Sequence, residues 1–120
     1  MPLPSGTRGT LFIVFAALGV VAAGYHVTGM FYKIDTAPVW RHLLFAVISL
    51  FCVYGILKRP SWFIWFFGVL LVQQYYSHGL YLFTLWREQQ KIHWISVLVL
   101  ILLPIVLLCL VDEYRARKQH

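Results

Sequence analysis

Four long apolar runs dominate the chain: Thr10 to Tyr32, Val39 to Leu57, Trp62 to Trp86 and Ile92 to Val111. Each holds roughly 19 to 25 residues, and about 20 in a helix rising ~1.5 Å per residue cross ~30 Å of hydrocarbon. No water satisfies backbone groups inside a bilayer, so such runs must be helical. They lack the polar–apolar alternation of a barrel strand, which excludes a β-barrel. The connectors Lys33 to Pro38, Lys58 to Ser61 and Arg87 to Lys91 are short enough to join only antiparallel neighbours. The pattern predicts an all-α membrane protein: one transmembrane domain over residues 1–120, built as a four-transmembrane-helix up-down bundle. Pro38 and Pro60 fall near helix starts, where a missing N–H is harmless. Pro104 lies inside the fourth run and should kink it.

Composition agrees. Hydrophobic residues make up 61% of the chain and charged residues 12%, about half the charge of a soluble domain. The formal charge of +6 does not point to nucleic acid, because the basic residues sit in short clusters between apolar runs with no basic face. They set orientation instead. Arg8, Lys58, Arg59, Arg115, Arg117 and Lys118 lie on one side; Lys33, Arg41, Arg87 and Lys91 lie on the other. Six against four puts both termini of this multi-pass chain in the cytoplasm. Trp40, Trp86 and Trp94 then mark the outer interface, and Trp62 and Trp65 the inner one. Arg8, Leu11 to Val21 and Ala22-Ala23-Gly24 have the outline of a signal peptide, but the apolar run continues to Phe31, which suits a span better. Cys52 and Cys109 lie within apolar runs and read as buried small side chains.

The two halves share a pattern. Tyr25-His26, a polar loop and Trp40-Arg41-His42 in the first are echoed by Ser77-His78, a polar loop and His93-Trp94 in the second, with histidine spacings of 16 and 15 residues. Phe-Ile-x-Phe opens both, at Phe12 to Phe15 and at Phe63 to Phe66. This hints at an internal repeat of a kind known in transport proteins.

The histidines are the main candidates for chemistry. Four of the five fall one per helix, all in the outer half. His26 lies seven residues below Lys33, about 10 Å deep, and His78 nine below Arg87, about 13 Å. His42 and His93 sit at the outer starts of their helices. The expected arrangement is a deep pair on helices one and three, diagonal in a bundle, and a shallow pair on two and four. Each histidine shares a helix face with small or polar residues, Gln74 and Tyr81 lying on that of His78, so His26 and His78 are expected to point inward. The candidate ligand-binding set is therefore His26, His78, Gln74, Tyr81, His42 and His93.

Neutral imidazole binds metals and haem iron and shuttles protons near neutral pH. Gln73, Gln74, Tyr25, Tyr75, Tyr76 and Tyr81 can hydrogen-bond a quinone headgroup. A single four-histidine metal site is disfavoured by tiers about 10 Å apart. Haem between His26 and His78 fits the expected depth. A proton-coupled carrier needs a buried carboxylate, whereas Asp35, Glu88, Asp112 and Glu113 all lie at run ends. Histidines that merely hydrogen-bond across helices are the simpler alternative, at about 0.6 kcal/mol each. The aromatic residues cover nearly all sides of the third run, which reads as lipid and helix packing more than as a ligand cage. The charged tail from Asp112 to His120 is expected to continue the fourth helix.

Arg8 before a Gly/Ala-rich first span, the short loops and the basic tail resemble the layout of small four-span bacterial inner-membrane proteins of the DoxX-like kind. That resemblance implies an inner-membrane location and a redox or quinone-linked setting, and transfers no catalytic residue. The expected function is a small accessory or ligand-binding membrane subunit, associated with the lipid bilayer and with itself or a larger complex. A redox protein holding haem, quinone or metal near His26 and His78 is the alternative. A minimal transporter comes third, because the inner half offers only Ser49, Cys52 and Tyr54 as a polar path.

Overall fold

The computed structural model describes residues 3–118, and among them every regular element is helical. Helix α1 spans Gly6–Phe31, α2 Val39–Lys58, α3 Phe63–Gln89 and α4 Trp94–Lys118. The apolar runs thus become the four expected helices, with ends shifted by a few residues. Helix α1 begins four residues before Thr10, because polarity does not stop a helix once it is nucleated. Helix α4 carries the charged tail as far as Lys118; Gln119 and His120 lie outside the described residues. It remains helical through Pro104.

Three helices, α1, α2 and α4, are long and apolar enough to cross a membrane. The sequence reading counted α3 as a fourth on the same footing. At 27 residues α3 has the length, but the polar stretch from Gln73 to His78 lowers its mean hydropathy. Only 17% of the most apolar window of α4 is buried, so its surface needs hydrocarbon around it rather than water. All five tryptophans are exposed.

The chain divides into two compact units between Pro60 and Ser61, one helical hairpin each. In the first hairpin Phe12, Phe15, Ala16, Ala23, Ala46, Cys52 and Ile56 form the buried core. Small residues let the helices approach: a Cβ on Gly19 would come within 2.7 Å of Val53 Cγ2. At the far end Arg59 adopts a left-handed conformation, and its N–H bonds the Gly55 carbonyl at 2.7 Å. Its guanidinium donates to the carbonyls of Ile56 and Leu57 and lies 5.2 Å from the Phe12 ring centre. This residue, counted as a cytoplasmic surface charge, is in fact buried.

The second hairpin buries Phe63, Phe67, Ser96, Val106, Leu110 and Glu113. Here α3 solves a problem that Pro104 creates. With no N–H, Pro104 leaves the Leu100 carbonyl without its helical donor, and the Tyr75 hydroxyl donates to that carbonyl at 2.7 Å. Cys109 is half-buried, and neither cysteine forms a disulfide.

Candidate functional site

The first hairpin closes through Asp35. Helix α1 ends with the Tyr32 N–H on the Thr28 carbonyl, and the chain turns so that the Ala37 N–H donates to Asp35 Oδ1 at 2.9 Å. This is an Asx turn. Pro38 then leads into α2, its carbonyl accepting from the Arg41 and His42 N–H groups. The turn aims the carboxylate back at both helices. Tyr25 Oη donates to Asp35 Oδ2 at 2.7 Å, and His42 Nε2 lies 2.9 Å from Oδ1. On its other side His42 Nδ1 lies 3.1 Å from His26 Nδ1.

Packing fixes these rings. His42 is 2% exposed and rests against Gly29, where a Cβ would come within 2.6 Å of the imidazole. The edge of Tyr25 meets His26 at 5.2 Å and His42 at 6.1 Å between centres. Phe45 lies 5.7 Å from His26 on the side of α2, with the Arg41 guanidinium 5.3 Å from the Phe45 ring centre.

Electrostatics assigns the protons. Burial alone would raise the Asp35 carboxyl, but hydrogen bonds from Tyr25, Ala37 and His42, with the charge of His42, hold it below the ordinary carboxylate value. The ionised group only accepts, so His42 Nε2 carries a hydrogen. In the neutral ring His42 Nδ1 is then an acceptor, and His26 Nδ1–H donates to it.

The second hairpin joins its histidines differently. Ser96 Oγ lies 2.7 Å from His78 Nδ1 and 2.7 Å from His93 Nδ1. The Ser96 N–H also donates to His93 Nδ1, at 3.3 Å, which makes that nitrogen an acceptor. Ser96 O–H therefore donates to His93, and His78 Nδ1–H donates to Ser96. His93 is the N-cap of α4, its carbonyl accepting from the Val97 N–H at 3.2 Å. Ser96 is fully buried, and no incoming group reaches its hydroxyl.

Within each hairpin the structure brings expected residues together. His26 and His42 meet in the first hairpin; His78, His93 and Tyr81 meet in the second, where the Tyr81 ring meets that of His93 edge-on at 5.1 Å. Gln74 bonds its neighbour Gln73 at 2.6 Å, along α3 rather than across to a histidine. The expected separation into deep and shallow tiers does not hold: each deep histidine pairs with the shallow one of its own hairpin. Depth had been counted from the charged connectors; counted from the helix ends, His26 lies five residues before the last residue of α1 and His42 three residues after the first of α2, a difference of about 3 Å that side chains span. Asp35 and Ser96 were missed as site members, and Tyr25 was expected to bond a quinone headgroup, not this carboxylate. The Asp35-x-Ala37-Pro38 turn was the signal that could have found the carboxylate. Among the described residues no three His, Cys, Asp or Glu side chains converge as a metal-binding group.

No family model, curated protein or solved structure matches the chain.

Proposed function

We propose that this chain is a small inner-membrane subunit that binds a polar ligand through the Tyr25–His26–Asp35–His42 cluster at the connector end of its first hairpin. On this reading it crosses the bilayer four times with both termini in the cytoplasm, and the cluster opens to the outer side. The bonds from Tyr75 to Leu100 and from His78 to Ser96 support a spanning role for α3, since they tie its polar middle to the apolar body of α4. The charge count of the connectors supports the orientation.

One observation carries the ligand-binding reading: the buried His42, held between a carboxylate and a second imidazole. Four polar side chains fixed in one line at the end of an apolar hairpin exceed what helix packing needs. Ionisable groups at membrane depth mark sites more often than scaffolding.

Mild detergent extraction followed by native mass measurement tests it. The wild-type chain is expected to carry additional bound mass that a His26→Ala, Asp35→Asn double variant of equal helicity has lost. Identical masses for the two would refute the reading.

A further inference from the structure

We propose that His26 and His42 form a two-imidazole site for a late first-row divalent cation, with Zn2+ as its reference probe. The inference rests on reading the cluster as a ligand site and names the class of ligand.

The geometry of the nitrogens carries it. Two imidazoles on a tetrahedral zinc, each at ~2.0–2.1 Å, stand about 3.3 Å apart. His26 Nδ1 and His42 Nδ1 stand 3.1 Å apart, so the separation already suits a shared cation, which needs only a turn of the rings to aim both lone pairs at one point beside the N–N line. The surroundings match a metal-bound histidine as well. Such a ring typically donates its second N–H to a carboxylate, which fixes its tautomer and raises its basicity. His42 Nε2 does so to Asp35 Oδ1 at 2.9 Å, and Asp35 is itself held by Tyr25 and the Ala37 N–H. Gly29 and Tyr25 clamp the His42 ring, so little ordering is left to do on binding.

Two neutral nitrogens without thiolate select zinc, copper or nickel over the oxygen-seeking calcium and magnesium. His26 is half-buried and Asp35 keeps 34% of its side-chain surface, which leaves the connector side open. Water or a donor from a ligand completes the coordination there. Binding needs both Nδ1 lone pairs: the hydrogen on His26 Nδ1 moves to Nε2, and any excess proton shared by the rings is released. Affinity therefore falls with acidification through the imidazole range. The second hairpin is no equivalent, because the Ser96 hydroxyl occupies the space between its histidines.

The test is equilibrium dialysis of the untagged full chain, stripped with chelator in detergent, against Zn2+. The wild type is expected to retain one Zn2+ per chain and His26→Ala none. Asp35→Asn is expected to bind 10–100-fold more weakly, and His93→Ala to bind as the wild type. Far-UV circular dichroism checks that each variant is folded, and replacement by Co2+ should give the intense visible absorption of a four-coordinate ion. A wild type that retains no zinc, a His26→Ala variant that retains it fully, or an equal loss in His93→Ala overturns the proposal. If zinc fails while the double variant still loses bound mass on extraction, the cation is wrong and the ligand-binding reading stands.

Discussion

Gly29 lies directly against the imidazole of His42, so close that a Cβ added there would come within 2.6 Å of Cε1 and Nε2. The absent side chain is what allows α1 to hold that ring between Asp35 and His26. Gly29→Ala should push His42 away and cost about 1–3 kcal/mol, the usual range for an overpacked contact. Gly24 has nothing within 4 Å of its added Cβ, and Gly24→Ala should be neutral or slightly stabilising. Thermal unfolding of the two variants in detergent, read side by side, decides the point.

The Tyr75–Leu100 bond should show the same specificity. Tyr75→Phe removes the donor that replaces the missing N–H of Pro104 and should cost about 1–3 kcal/mol, the penalty of an unsatisfied carbonyl. In a Pro104→Ala background the helix supplies its own donor, and Tyr75→Phe should then cost much less. A double-mutant cycle measures the difference; additive effects would show the two residues to be unrelated.

Two left-handed helix ends predict opposite outcomes for one substitution. Gln90 and Arg59 both have positive φ, 52° and 51°, where glycine is favoured. Gln90 is exposed, so Gln90→Gly should stabilise α3 by up to about 1 kcal/mol. Arg59 is buried, bonded to the carbonyls of Ile56 and Leu57 and set over Phe12. Arg59→Gly should therefore destabilise the first hairpin despite relieving the backbone. Chemical unfolding of both variants checks the signs.

Asp35 gives the fold an acid limit. Its carboxyl lies lower when folded than the ordinary value of about 3.9. The stability it contributes is complete above that value and disappears as pH falls through the lowered folded one. The melting temperature should drop between roughly pH 4 and the folded value, and Asp35→Asn should flatten that drop while lowering stability at neutral pH. A wild type and variant with parallel pH profiles would remove Asp35 from the account.

Much of this was legible in the chain. The apolar runs gave the helices within a few residues, because length and hydropathy decide the matter in hydrocarbon. The repeated pattern put two histidines in each hairpin, but it did not show that they meet there. Depth was the weak step. It was counted from Lys33 and Arg87, whereas pairing depends on where each helix stops and how its hairpin is registered. Asp35 looked like an ordinary loop charge because nothing in its neighbours' hydropathy says that the turn folds it inward. The position of Ser96 between two imidazoles depends on α3 lying against α4, which no local pattern in the chain shows. The buried Arg59 was equally hidden, since positional charge counting takes every arginine as solvated.

The line from Asp35 through His42 to His26 underlies both the ligand site and the proposed cation, and it can be observed directly. Nitrogen NMR of the metal-free chain with 15N-labelled histidine, compared with His26→Ala and His42→Ala to assign the signals, reads the hydrogen-bond coupling between the two rings. The account predicts a coupling between His26 Nδ1 and His42 Nδ1 through one shared hydrogen, with the His42 Nε2 hydrogen shifted by its carboxylate partner. Two rings with no coupling between these nitrogens would contradict it.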